Sequence, residues 1–118
     1  MIKIDINEFT LKNGLRVVLS RNERIPLCMI SMGFKVGSKN EREGEHGIAH
    51  LIEHLMFSGS ENVPQGEFDV FLSDKGGESN AYTSHDLTCF LMIVPSNALE
   101  FAMWLDSDRY VKFGFSDE

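Results

Sequence analysis

Gly47-Ile48-Ala49-His50-Leu51-Ile52-Glu53-His54-Leu55-Met56-Phe57 places two imidazoles and a carboxylate on one side of a short apolar helix. At about 100° per residue, His54 lies roughly 40° from His50 and one turn further on, within reach of the same ion. Glu53 falls roughly 60° to the other side, so the three polar groups share a sector of about 100°. Ile48, Leu51, Ile52 and Leu55 follow the i, i+3, i+4, i+7 template and Met56 extends it, so these faces are expected to be buried. Three ionisable groups on a buried helix need a strong partner to offset their desolvation, and a metal ion is one.

Zinc takes neutral imidazole readily, and a catalytic site usually offers three protein ligands and one open position. The ion acidifies bound water, and a carboxylate beside that water can take its proton and pass it to a leaving amine. His50 and His54 suit the ligand role and Glu53 suits the base, in the reverse of the HExxH order. For an arbitrary pair of histidines at this spacing the ordinary reading is a satisfied surface or core pair. His46, four residues before His50, is a rival ligand, but Gly44 and Gly47 around it start the helix near Gly47 and leave His46 in a loop. His85 sits in a polar turn and reads as an ordinary exposed histidine, while Asp106 and Asp108 read as solvated or paired with Arg109.

Before the helix, Phe9 to Leu19 alternates about Asn13-Gly14, which predicts a β-hairpin through a type I′ turn. Leu27 to Val36 reads as a strand buried on at least one face, with Gly33 marking a close backbone approach, and Gly37 to Gly47 as a loop. After the helix, Gln65 to Lys75 predicts a second helix with Phe68, Phe71 and Leu72 inward, stopped by Gly76-Gly77. Glu78 to Thr83 and Leu87 to Val94 form a second hairpin through Ser84-His85-Asp86. Pro95 closes it and Ser96 is the expected N-cap of a third helix, with Ala98, Phe101, Ala102 and Leu105 inward. The order β-β-β-α-α-β-β-α indicates an α+β fold with a mainly antiparallel sheet and helices packed on it.

With 118 residues the chain is at most one ordinary domain. The formal net charge of −7 argues against a nucleic-acid surface, and no apolar run approaches the ~20 residues of a membrane span. Cys28 and Cys89 lie in apolar runs without CxxC spacing and read as reduced core residues. Residues 1–7 lack the features of a signal peptide, so the protein is cytoplasmic if Met1 is its native start, and periplasmic or elsewhere if a leader has been removed.

His50-Leu51-Ile52-Glu53-His54 after Gly47-Ile48-Ala49, then Gly76-Gly77, Asn80-Ala81-Tyr82-Thr83 and Trp104-Leu105 to Arg109, together resemble the amino-terminal part of the pitrilysin-type, inverted-motif (HxxEH, M16) zinc peptidases. That family includes insulin-degrading enzyme and the mitochondrial processing peptidase. The resemblance implies the first part of a pitrilysin-type (LuxS/metallopeptidase-like) domain that binds Zn2+ through His50 and His54 with Glu53 as general base. It implies that Asn80, Ala81, Tyr82 and Thr83 hold a peptide substrate as an added β-strand. It places the third ligand at a glutamate beyond Glu118; Glu118 itself could stand in only through an unusual local fold. Residues 1–118 are therefore read as a truncated portion of one peptidase domain. Its partners are a peptide substrate and homologous domains or a partner subunit, and the piece alone is expected to self-associate through open edges and apolar faces. The rival function is a non-catalytic peptide-binding or partner subunit of a processing-peptidase-like complex.

Overall fold

The structure is a computed structural model that describes residues 4–113; residues 1–3 and 114–118, Glu118 among them, lie outside the described residues. Strands β1 (Ile6–Thr10) and β2 (Arg16–Ser20) form a two-stranded antiparallel sheet of their own, in which Thr10 faces Arg16 and Ile6 faces Ser20. The hairpin is as expected but its turn is not type I′. Gly14 N–H donates to the Leu11 carbonyl at 2.9 Å, Leu11 N–H donates to the Leu15 carbonyl at 2.8 Å, and only Gly14 has a positive φ, 87°. This is a three-residue loop, a type I turn followed by a glycine in the left-handed region. The Asn13 side chain accepts the Leu15 N–H at 3.1 Å, which holds Asn13 without a positive φ of its own.

Strands β3 (Leu27–Phe34), β4 (Glu78–Thr83) and β5 (Thr88–Pro95) form an antiparallel sheet in the order β3-β5-β4, with helices α1 (Ile48–Leu55), α2 (Phe68–Ser73) and α3 (Leu99–Val111). The α+β class and element order are those expected. Alternation along β5 sends Phe90, Met92 and Val94 to one face, where the register sets Met32, Ile30 and Cys28 of β3 and Ala81 and Ser79 of β4 beside them. Val63, Phe68, Leu72, Ala98, Ala102 and Leu105 complete the core with Met92 and Val94. Each fully buried Leu or Met side chain in this layer contributes about 1.5–3 kcal/mol. Cys89 is buried, Cys28 is half-buried, and both are free.

Helix α2 starts three residues later than expected, because Pro64-Gln65-Gly66 forms a turn in which Gly66 takes φ 79°. Its end is as expected. Gly76 takes φ 76° and donates to the Ser73 carbonyl at 2.8 Å, while Gly77 donates to Leu72 at 3.0 Å, the paired bonds of a Schellman cap. Gly33 makes no unusual approach, since a Cβ there would meet only Leu87 Cδ1 at 3.5 Å. A tight approach to backbone is found instead at Gly37, where a Cβ would lie 2.7 Å from the His85 carbonyl carbon.

Ser96 does not cap α3. A 3-10 turn over Ser96–Ala98 intervenes, the N-cap is Ala98, and the Ser96 N–H donates to the Pro26 carbonyl at 3.0 Å. Near the other end of α3, Asp106 is buried and accepts Arg109 Nε at 2.9 Å. The Arg109 guanidinium lies over the rings of Phe57, Phe68, Phe90 and Tyr110, 4.4 to 5.3 Å from their centroids. Burial in this cluster pushes the Tyr110 phenol well above its ordinary pKa. Asp108 instead binds the Ser60–Asn62 turn, accepting Ser60 Oγ at 2.6 Å and Asn62 Nδ2 at 2.7 Å. Among the described residues, no helix is long and apolar enough to cross a membrane.

Candidate metal centre

Helix α1 begins at Gly47, whose φ of 90° is open to glycine but rarely to other residues. Its first intrahelical bond runs from Leu51 N–H to the Gly47 carbonyl at 2.9 Å. Below it, Met56 N–H closes on Ile52 at 3.0 Å and the Ser58 hydroxyl donates to the Leu55 carbonyl at 2.6 Å.

The expected inward stripe of this helix is corrected by the structure. Ile48, Leu51 and Ile52 are 43%, 55% and 42% exposed, whereas Ala49, Glu53 and Met56 are buried. Those three also follow helical spacing, so the sector containing Glu53 turns toward the sheet. A carboxylate can occupy such a place only with a donor beside it, and the Thr83 hydroxyl at the end of β4 donates to Glu53 Oε2. Thr83 faces that side of the sheet because it lies in the same alternating row as Ser79 and Ala81.

His50 and His54 flank Glu53 on the exposed side. Their Nε2 atoms are 3.1 Å apart and their ring centroids 4.7 Å apart. Two imidazoles at 2.0–2.1 Å from one tetrahedral ion would have nitrogens about 3.3 Å apart, so the pair fits two ligands of zinc. No group of three or more His, Cys, Asp or Glu side chains gathers among the described residues, and His46 and His85 do not join the pair.

A cavity of about 390 Å³ opens beside His50, lined by Ser38, Glu41, Gly47, Thr83, Ser84 and His85. His85 is exposed, as expected, yet it borders this cavity and its Nδ1 lies 3.0 Å from Ser38 Oγ. On the other flank of α1 an apolar cavity of about 340 Å³ runs between Ile48, Ile52 and Met56 and the Phe34, Phe90 and Tyr110 rings. Strand β4 pairs only with β5 among the described residues, so Asn80 to Thr83 lie on a sheet edge. Ala81 and Thr83 lie on the helix side and Asn80 and Tyr82 on the opposite face, and the Ala81 N–H meets Asn80 Oδ1 at 2.9 Å.

Two contacts of the site go beyond what the sequence expresses. From its sequence Thr83 reads as part of the substrate strand and not as partner to Glu53, because nothing in the linear order joins residues 30 positions apart. Glu41 reads as a loop residue, yet its carboxylate accepts the Gly47 and Ala49 N–H groups, each at 2.9 Å. These bonds, Ala49 first and then Gly47, hold Glu41 below its ordinary pKa. A signal for it existed, since an N-cap glycine has no side chain to cap with and the first turn then needs an acceptor from elsewhere.

The family described as Insulinase (Peptidase family M16) matches residues 16–116. "Zinc protease PqqE" of Helicobacter pylori is 44% identical over 84 residues, which cover 70% of this chain and 19% of that protein. "Insulin-degrading enzyme-like 2" of Arabidopsis thaliana is 32% identical over 112 residues, 94% of this chain and 11% of that one. "Mitochondrial-processing peptidase subunit beta" of Rattus norvegicus is 36% identical over 80 residues, 68% of this chain and 16% of that one. A solved structure, the crystal structure of a protease from Helicobacter pylori, aligns with a TM-score of 0.91 and 34% identity over 98% of this chain and 28% of that one. The chain thus spans 11% to 28% of the length of these relatives.

Proposed function

From its membership of the insulinase-type peptidase family M16, to which this chain belongs, we propose that the whole protein is a zinc-dependent metalloendopeptidase acting on peptides or unfolded segments. The observation that carries the reading is the convergence of the His50 and His54 Nε2 atoms, 3.1 Å apart, beside a buried Glu53 held by Thr83. Zinc, when bound, supplies Lewis-acid polarisation and an acidified water.

His50 and His54 would hold the ion, and a glutamate beyond Glu118 would supply the third ligand. Glu53 takes the proton of the attacking water as the C–O bond forms and passes it to the amine as the C–N bond breaks. The Thr83 hydroxyl fixes which way the Glu53 carboxylate points. The free edge of β4 at Asn80, Ala81, Tyr82 and Thr83 takes substrate as an added strand, in which backbone hydrogen bonds give affinity with limited demand on sequence. Homologous domains or a partner subunit complete the groove, a role supported by the small share of its relatives' length that this chain spans.

The test is hydrolysis of a quenched fluorescent peptide together with zinc content, measured on the whole protein. Glu53→Gln is expected to retain zinc and lose about 10²- to 10⁴-fold in kcat. Undiminished hydrolysis by that variant would overturn the mechanism. Peptide binding without stoichiometric zinc in the unaltered protein would favour the non-catalytic subunit instead.

A further inference from the structure

Helix α1 has few means of holding its own orientation. It is eight residues long, short of the length at which an isolated helix is stable in water. Three of its apolar side chains, Ile48, Leu51 and Ile52, are exposed, so burial holds it through Ala49, Glu53 and the half-buried Leu55, with Met56 just past its end. Gly47 at the N-cap offers no side-chain acceptor. The N–H groups at the start of the helix therefore find partners in the preceding loop. Ile48 N–H donates to the Glu45 carbonyl at 3.2 Å, and Gly47 and Ala49 donate to the two carboxylate oxygens of Glu41.

Glu41 thus acts as an N-cap from six residues before Gly47, and its ionised carboxylate also complements the positive end of the helix dipole. The other carboxylate of this loop that bonds backbone does a different thing, since Glu45 Oε2 accepts the Arg42 N–H at 3.2 Å and closes the loop on itself. The amide of Ala49, the second residue of α1, immediately precedes His50, whose ring has one side-chain partner among the described residues, His54. The direction of the His50 ring therefore follows the backbone that Glu41 clamps. Glu41 also borders the cavities on both flanks of α1, so it lies where the helix and the open space around it meet.

We infer that Glu41 is a positioning residue of the metal centre: by bridging the Gly47 and Ala49 amides it fixes the turn of α1 that presents His50. The inference rests on the zinc-peptidase reading above. Partners that orient a ligand without touching the metal commonly change metal affinity by 10- to 100-fold when removed. Glu41→Gln preserves volume but has one acceptor oxygen for two N–H groups, so one of the two bonds is lost.

The experiment compares Glu41→Gln with the unaltered whole protein by four measurements. These are zinc affinity by competition with a chelating dye, the visible absorption of the cobalt-loaded form, kcat and KM on a quenched fluorescent peptide, and amide hydrogen exchange. The expected result is zinc binding weakened about tenfold, a shifted cobalt spectrum, a lower kcat at unchanged KM, and faster exchange at Gly47 and Ala49 with the β5 amides unchanged. Wild-type zinc affinity and cobalt spectrum in the variant would overturn the assignment, even if its thermal midpoint fell, because Glu41 would then support the fold alone. If the unaltered protein bound neither zinc nor cobalt, the peptidase reading itself would fail. In that case unchanged exchange at Gly47 and Ala49 in the metal-free variant would separately refute the clamp.

Discussion

Replacing Asp106 with alanine tests the buried pair that it forms with Arg109. The Arg109 side chain is 1% exposed and that of Asp106 6%, so neither charge is screened by water. Arg109 Nε and Nη2 both donate to Asp106 Oδ1, at 2.9 and 2.5 Å, and Nη1 has no partner among the described residues. Removing the carboxylate leaves a cation among Phe57, Phe68, Phe90 and Tyr110. The rings return part of its lost solvation, at about 0.5–2 kcal/mol for a favourable ring contact, but the acceptor they carry is the Tyr110 hydroxyl, 3.4 Å from Nη2, which cannot replace both bonds to the carboxylate. Breaking a buried pair from one side costs about 3–5 kcal/mol, against a total stability of about 5–15 kcal/mol for a domain. Asp106→Ala should therefore lower the urea midpoint sharply, followed by far-ultraviolet circular dichroism. Changing both residues, Asp106→Leu with Arg109→Met, removes the stranded charge and should restore stability to within about 1 kcal/mol of the unaltered protein. A loss below about 1 kcal/mol for Asp106→Ala, or a double variant no better than the single one, would refute the view that the pair holds together by mutual neutralisation.

Three further outcomes follow from the geometry. Thr83→Val keeps the side-chain volume but leaves the buried Glu53 without its hydroxyl donor, and on the proposed mechanism kcat of the whole protein should fall about tenfold with zinc retained; a change within about twofold would remove Thr83 from the proposed role of orienting Glu53. Gly37→Ala drives a Cβ into the backbone of Ser84 and His85, so urea unfolding should show a loss of about 1–3 kcal/mol, and a neutral effect would mean that the loop gives way freely. For Asp108, burial pushes the carboxyl pKa up, but hydrogen bonds from the Ser60 hydroxyl and from the Asn62 side chain and backbone outweigh it and leave the pKa below its ordinary value. Its folded pKa being the lower one, its contribution is present above the ordinary carboxylate range and disappears as pH falls through the folded value. Asp108→Asn should then be less stable than the unaltered protein at about pH 6, with the gap narrowing as the pH falls below the ordinary carboxylate range, and parallel curves would contradict this.

Much of the local structure could be read from the residues alone because it depends on near neighbours. Gly76-Gly77 ends α2 because a left-handed residue is needed within the cap itself, and the β4–β5 hairpin follows from alternation across a short polar link. Asn13-Gly14 does not form the type I′ turn it suggests, because the dipeptide permits two positive φ angles without requiring them, and the Asn13 side-chain bond to Leu15 settles the choice. Ser96 misleads for a similar reason, since a good capping residue cannot show whether a 3-10 turn precedes the helix.

The His50-Glu53-His54 helix carries both lessons. Its polar sector, its start at Gly47 and the pairing of the two imidazoles are consequences of helical geometry, and helical geometry needs only the order of residues. Which sector turns inward is a property of what lies opposite, and there the chain order was misleading, because Ile48, Leu51 and Ile52 form the more apolar stripe and yet are exposed. Glu53 is buried because Thr83 of β4 offers it a donor, and the first turn of α1 is held because Glu41 reaches two backbone amides. Neither contact has a periodicity to betray it. Hydrogen bonds between distant segments depend on where folding brings them, so they are decided only once the sheet and helices have packed.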